Sequence, residues 1–342
     1  MSLNSRSAAS ISGCSSGITF ATAYEMFDGL GSEGGVRAMM VIGSNPAVSA
    51  PHAGNIQSKL AALDFLVVAD FFPSETAQMA DVVLPSAQWA EEEGTITNLE
   101  GRVLVRQRAV MPPRGARSDL EILSTLASRL GCGGNGFPSE PRRVFEELRR
   151  ASAGGAADYS GISYERIAAE DGVFWPCPGD DHPGTPRMFF DRFATPDGRA
   201  RFHPVEYRPT SEQPDDEYPL YLTTGRVMAH YQSGTQTRRV AALHNAQPAA
   251  FVEMHPSIAK NLGIARGDLV RITTRRGSAL IAARLSTRIR MDTLFAPFHW
   301  GGDGCANLLT NPALDPVSKM PEFKVCAARI EKAADLNSSK DR

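Results

Sequence analysis

Two short runs, VRAMMVIGSNP at residues 36–46 and DFLVVADFF at 64–72, constrain the fold of this chain more than any other feature. Their central residues are apolar without alternation, and the runs end in Gly-Ser-Asn-Pro and around Asp70. A strand buried on both faces has this pattern, and such strands belong to parallel sheets. Between them GNIQSKLAAL reads as a helix; after them SETAQMA reads as a short helix and DVVLP as a third strand. Strands alternating with helices predict a parallel sheet with helices on its faces, an α/β fold. SDLEILSTLASRLG is the clearest helix, with Ser118 and Glu121 as a capping box and Gly131 as its stop. PRRVFEELRR predicts another.

The pattern changes twice more along the chain. Residues 151–217 are rich in Gly, Pro and Asp and read as an irregular connecting region. From Tyr218 the signal is β: YPLYLTTG, GDLVRITTRRGSALIAARLS with a turn at Arg276-Gly277, and DTLFAPFHW, with one short helix in HPSIAKNLGI. A compact, mostly β second domain follows, a barrel. The expected division is a flexible or incomplete lead-in at 1–35, an α/β portion at 36–150, the connecting region at 151–217, a barrel domain at 218–332 and a polar tail at 333–342.

Composition removes several function classes. A chain of 342 residues with 42% hydrophobic residues and a net charge of −2 reads as an ordinary globular protein, with no bulk charge for nucleic acid or an anionic membrane. Cys14, Cys132, Cys177, Cys305 and Cys326 are scattered, without a C-x-x-C pair, which argues against a zinc or iron–sulfur site or a disulfide framework in this chain. The odd count fits a reducing compartment, and no run approaches membrane-spanning length, so a soluble cytoplasmic protein is expected. Neither a nucleophile elbow, a phosphate loop nor a G-x-G-x-x-G after a strand is present.

Three loops that follow predicted strands carry polar groups suited to a ligand, the position where open parallel sheets bind one. Asn45 suits an Asx turn or a ligand contact; Asp70 suits a helix cap or a carboxylate accepting two N–H donors from a nucleobase edge. Asp119 stands in the first turn of a helix, where acids are favoured anyway. The loop TTGRVMAHYQSGTQTRR at 223–239 is the densest in donors. A glycine at 225 lets backbone N–H groups approach a phosphate, Arg226 can fork onto its oxygens, and Ser233, Thr235 and Thr237 add hydroxyls, so an anion site is expected. His299 and Lys324, in FHWGG and EFKVC, read from their neighbours alone as structural or surface residues.

Several of these segments resemble the molybdopterin oxidoreductases. VIGSNPAVSAP, ADFFPSETAQMADVVLPSAQWAEEEGTITNLEGR and SDLEIL are similar to an α/β domain of those enzymes. LTTGRVMAHYQSGTQTRR, FVEMHPSIAKNLGIARGDLVRITTRRG and ANLLTNPALDPVSKMPEFKVCAARIEK are similar to the domain that follows it. The likeness runs from about residue 36 to 332; HYQSGTQTRR looks most like the assimilatory nitrate reductases, and TNPALDPVSKMPEFKVC is shared with formate dehydrogenases.

The resemblance implies molybdenum held by two molybdopterin guanine dinucleotides (bis-MGD) and a double-psi β-barrel closing over the cofactor. It implies that Asn45, Ala69, Asp70 and Asp119 surround a guanine nucleotide. It implies that Thr224, Gly225, Arg226, Val227, Met228, Ala229, His230, Tyr231, Gln232 and Ser233 grip the pterin and phosphates, with Asn307 and Lys324 adding pterin contacts. Glu92 falls where relatives have a lysine and is left out, and His299 aligns near a further contact. The family's iron–sulfur segment and the Cys or selenocysteine ligand of molybdenum have no counterpart in these residues. The expected partner is therefore an N-terminal catalytic half, and the expected reaction of the complete enzyme is reduction of nitrate to nitrite. Formate oxidation or a non-catalytic cofactor-binding module are the alternatives.

Overall fold

A computed structural model describes residues 22–31, 35–132 and 136–333. The rest of the expected lead-in and the tail from residue 334 lie outside the described residues. Within the lead-in, a helix α1 (Ala23–Asp28) forms and Leu30 is buried beside it, because Tyr24, Phe27 and Leu30 pack on the first sheet's core.

Strand β1 (Ala38–Ile42) runs into the four-residue helix α2 (Pro46–Ser49) and then α3 (Ala53–Ala61). Strands β2 (Phe65–Asp70) and β3 (Val82–Pro85) follow, separated by a 3-10 turn at Ala77–Met79. They form the expected parallel sheet in the order β1-β2-β3, with Val41 beside Val68 and Ala69 beside Leu84. Ile56 and Leu60 of α3 pack on Leu66 and Val68, which face one side of β2. The other side, with Met40, Phe65, Val67, Val82 and Leu84, is less covered than the helix-on-both-faces expectation requires. It borders a groove of about 790 Å³ that Ile122, Leu126 and Leu130 only partly fill.

A hairpin that the strand pattern did not single out comes next, β4 (Gly94–Thr97) and β5 (Arg102–Arg106), turning at Asn98 and Gly101. Helix α4 (Asp119–Arg129) carries the expected capping box: the Ser118 hydroxyl accepts from the Glu121 amide and the Glu121 carboxylate accepts from the Ser118 amide. Gly131 leaves it in the left-handed region at φ +79°, as its C-terminal stop. Helix α5 (Pro141–Ser152) follows, then α6 (Tyr164–Ala169) and β6 (Val173–Phe174).

The last two elements correct the reading of 151–217 as irregular throughout. β6 joins β5, and Ile162, Ile167 and Val173 build a small core with Val103 and Phe145. Asp158, Gly161, Asp171 and Gly172, interspersed with Ile162, Ile167 and Val173, diluted the apolar signal. From residue 186 to 219 no helix or strand forms, as expected.

The barrel is closed and six-stranded. Its strands are β7 (Leu220–Gly225), β8 (Phe251–Met254), β9 (Leu269–Thr274), β10 (Gly277–Leu285), β11 (Thr293–Pro297) and β12 (Cys326–Lys332), in the cyclic order β10-β8-β11-β7-β12-β9. Helices α7 (Ala241–Ala246) and α8 (Pro256–Asn261) lie between β7, β8 and β9. The β7–β11 and β8–β10 pairs are parallel and the other four antiparallel. Alternate residues of β9, Val270 and Ile272, point inward against Leu222, Val252, Met254, Ile281 and Leu294.

The β9–β10 turn is Arg275-Arg276, one residue earlier than expected, because Gly277 pairs with Thr274 and already belongs to β10. Arg276 is nearly buried and clasps Glu212, whose carboxylate also accepts the Ala327 amide at 2.7 Å. The connecting segment is thereby pinned to the barrel wall.

Candidate dinucleotide groove

The carboxyl ends of β1 and β2 face the loop after β7, and two adjoining cavities lie between them. One, of about 380 Å³, is bordered by Asn45, Asp70, Phe71, Tyr231, Gln232, Ser233 and Thr235, among others. The second, of about 250 Å³, is bordered by Arg226, Phe298, Asn307, Phe323 and Lys324 and shares Ser49, Gln232 and Ser233 with the first. Together they form one groove whose ends differ in charge.

At one end stand carboxylates. The Asp70 carboxylate accepts the Phe71 amide at 2.8 Å and the Ser74 hydroxyl at 2.7 Å, which fixes its orientation at the end of β2. Asp119, at the start of α4, borders neither cavity but lies close enough to Asp70 to feel its charge, and its buried Oδ1 has no hydrogen-bond partner among the described residues. Burial, and next the Asp70 charge, hold its carboxyl above the usual aspartate value. A buried acceptor without a donor is costly.

At the other end stand cations. Arg226 and Lys324 both lie over the Phe298 ring, at 5.5 and 5.2 Å from its centroid. Neither has a carboxylate within ion-pair distance among the described residues. Burial, and next the Arg226 charge, hold the Lys324 ammonium below the usual lysine value. Two like charges held together on an aromatic face attract an anion strongly.

Other candidates hold the walls. The Asn45 amide donates to Glu75 at 2.7 Å and its oxygen accepts from the Thr76 amide and hydroxyl at 3.1 and 2.8 Å. It forms no Asx turn; it ties the loop after β1 to the loop after β2. Glu75 in turn pairs with Arg238 of the barrel loop at 3.0 Å. Asn307 is buried and donates to the Val48 carbonyl at 2.7 Å, joining barrel to α2. Val48, Ala53 and Cys305 make a small apolar contact at the same seam.

Along residues 224–233 the structure separates the side chains. Arg226, Tyr231, Gln232 and Ser233 border the groove. Thr224 is buried, its hydroxyl donating to the Phe323 carbonyl at 2.7 Å while its own carbonyl accepts from Lys324 at 3.2 Å. His230 is buried between Thr237 and the Gln247 carbonyl, at 3.1 and 2.7 Å. Met228 is fully exposed at the tip. Val227, Ala229 and Ala69 border neither cavity with side chains, although Ala69 lies fully buried next to Asp70.

Gly225 has a reason other than phosphate approach. A Cβ there would stand 2.6 Å from the Phe295 ring on the paired strand. Glu92 is occupied by Arg106 at 2.9 Å on β5. Ser44, Ser49, Phe71, Gln236, Phe298 and Phe323 border the groove without having been singled out. Ser44 and Ser49 flank Asn45 after a strand end, which was the available signal.

Among the described residues no cluster of His, Cys, Asp or Glu could hold a metal ion, and burial pushes the Cys305 and Cys326 thiols up to about 11 and about 12. These thiols pack as apolar groups. No helix of the described residues is long and apolar enough to cross a membrane.

Comparison with known proteins agrees with this geometry. Residues 4–129 match the molybdopterin oxidoreductase model and residues 220–327 the molydopterin dinucleotide binding domain model. The assimilatory nitrate reductase catalytic subunit of Bacillus subtilis (strain 168) is 47% identical over 311 residues, covering 90% of this chain and 44% of that protein. A formate dehydrogenase alpha subunit of Methanocaldococcus jannaschii is 43% identical, covering 91% and 45%. The solved acetylene hydratase of Pelobacter acetylenicus superposes with a TM-score of 0.71 at 20% identity, over 90% of this chain and 46% of that one, and shares the fold. The chain spans less than half the length of the relatives it matches. An α/β sheet and a closed barrel that meet at a groove, each matched by its own model, place this chain in the molybdopterin oxidoreductase family.

Proposed function

We propose that this chain is the cofactor-binding part of a molybdenum enzyme that reduces nitrate to nitrite, holding a molybdopterin guanine dinucleotide of a bis-MGD centre in the groove. The observation that carries this is the groove's polarity: Asp70 at one end, with the unpartnered Asp119 oxygen behind it, and Arg226 with Lys324 at the other. Carboxylates accept the paired N–H groups of a guanine edge, and the cations neutralise phosphate. Gln232 and Ser233, common to both cavities, face the middle of the ligand. Asn45 and Asn307 border the cavities and also tie the walls together, with Glu75 bracing Asn45 from behind.

When bound, the cofactor supplies the two-electron, oxygen-atom-transfer chemistry; this chain's residues orient it and neutralise its charge. An iron–sulfur cluster and the metal's protein ligand belong, in this reading, to an N-terminal half on the same polypeptide or a partner subunit. The four free cysteines among the described residues support a reducing, cytoplasmic location. Nitrate is favoured as substrate by the B. subtilis relative. Formate is the second reading, favoured by the M. jannaschii relative.

Co-expression with an N-terminal half from such a relative tests both, through molybdenum and iron content and product assays. Metal incorporation with nitrite formation supports the nitrate reading, and metal with formate oxidation replaces it. For the chain alone, calorimetry should show GDP binding more tightly than ADP. Equal affinity for the two would remove the guanine assignment and leave at most an anion site.

A further inference from the structure

We infer that His299 is the positioning residue of the groove loop: from behind the loop, as the neutral imidazole protonated on Nδ1, it clamps residues 227 and 232 together, and adding a second proton releases them. The inference rests on the dinucleotide reading only for what the loop holds.

The clamp follows from strand register. β11 runs parallel to β7 with Pro297 beside Gly225, and the Phe298 amide continues the pairing by donating to the Gly225 carbonyl at 3.3 Å. Two residues beyond each strand, His299 therefore stands across from Val227. The Val227 amide donates to His299 Nε2 at 3.0 Å, and His299 Nδ1–H donates to the Gln232 carbonyl at 2.6 Å. One ring thus spans the turn from its first residue to its last, with no exposed surface of its own. The two partners fix the tautomer, because an amide can only donate and a carbonyl can only accept.

The loop needs such a clamp. Gln232 holds φ +48°, a left-handed conformation that a non-glycine residue adopts at a cost. Gly234, at φ +73°, packs so closely on the His299 carbonyl that a Cβ would approach it to 2.5 Å. Gln232 and Ser233 border both cavities, so the clamp sets the shape of the groove at its centre.

The surroundings oppose a second proton. His230 lies 5.9 Å away between ring centroids, Trp300 and Phe298 flank the imidazole, and Arg226 precedes Val227. Arg238 lies beyond Gly234, Lys324 beyond Phe298, and the carboxylate of Glu75 is already engaged by Arg238 and Asn45. Burial first, then the His230 and Arg226 charges, hold the imidazole below the usual histidine value, against the Gln232 bond that favours protonation. With the folded value depressed, the clamp is at full strength above the ordinary pKa of 6.5 and is lost as the pH falls through the folded value. A second proton on Nε2 turns an acceptor into a donor facing the Val227 N–H.

The test uses the full chain, with imidazole nitrogen shifts, Val227 amide exchange and GDP affinity followed across pH. The expected result is an Nδ1–H ring at neutral pH and faster Val227 exchange once His299 protonates, with GDP affinity falling over the same interval. His299→Gln, checked for folding by its thermal melt, should weaken GDP by roughly tenfold, the size of lost loop hydrogen bonds, and flatten the pH dependence. An Nε2–H ring, or Val227 exchange indifferent to His299 protonation, overturns the clamp. A His299→Gln variant that keeps the wild-type pH profile overturns it too. No GDP binding at any pH, with Val227 still tracking His299, overturns the dinucleotide reading and leaves the clamp standing.

Discussion

Asp119 is charged in a place that disfavours its charge. Its folded pKa lies above the ordinary 3.8, so its contribution to stability is present below that value and is lost as the pH rises through the folded value. At neutral pH the Asp119 carboxylate therefore weakens the fold, a cost that the proposed acceptor role would explain. Asp119→Asn should raise the melting temperature of the free chain and lower GDP affinity; both are read by a thermal-shift titration. A variant that lowers both would make Asp119 an ordinary helix-start residue. Which residues were legible in the sequence follows from the same distinction. Asp70, Arg226 and Lys324 present charges after strands or in loops, and charge is visible in a string of letters. Thr224 and His230 belong to the same run, yet they face inward to Phe323 and Gln247. Only the strand register decides that, and register is a property of residues about 20 to 100 positions away.

At the scale of elements, local chemistry was a reliable guide where it was self-contained. The α4 capping box lies within four residues and forms as read. The β4–β5 hairpin was passed over although Thr95 and Thr97 face Val105 and Val103 across a turn ending in Gly101, because each strand is short and half polar. Gly225 carries a constraint invisible in its own loop, since it comes from Phe295, 70 positions later on the paired strand. Gly225→Ala should cost about 1–3 kcal/mol in denaturant unfolding, the usual size of an overpacked core contact. Phe295→Leu should recover part of that loss in a double-mutant cycle. If Gly225→Ala unfolds like the parent, the ring gives way and the close approach carries no energy.

Across the whole molecule, two sheets are treated unequally. The barrel closes on itself and has no edge, whereas the parallel sheet leaves Phe65, Val67 and Val82 beside an apolar groove. Parallel sheets are normally covered on both faces, so this face is expected to associate. Sedimentation should show the chain self-associating with rising concentration, and Phe65→Lys with Val82→Lys should reduce it without changing GDP binding. A chain that stays monomeric throughout would show that α4 alone covers the face well enough.

The barrel also imposes a timetable. β7 carries the groove loop, but its neighbours β11 and β12 arrive last, and Lys324 meets Thr224 across 100 residues. Contacts so distant along the chain form late and slowly. During synthesis the loop waits unshaped until Lys324 and β12 have emerged, so a product that stops before them has no closed barrel to shape the loop.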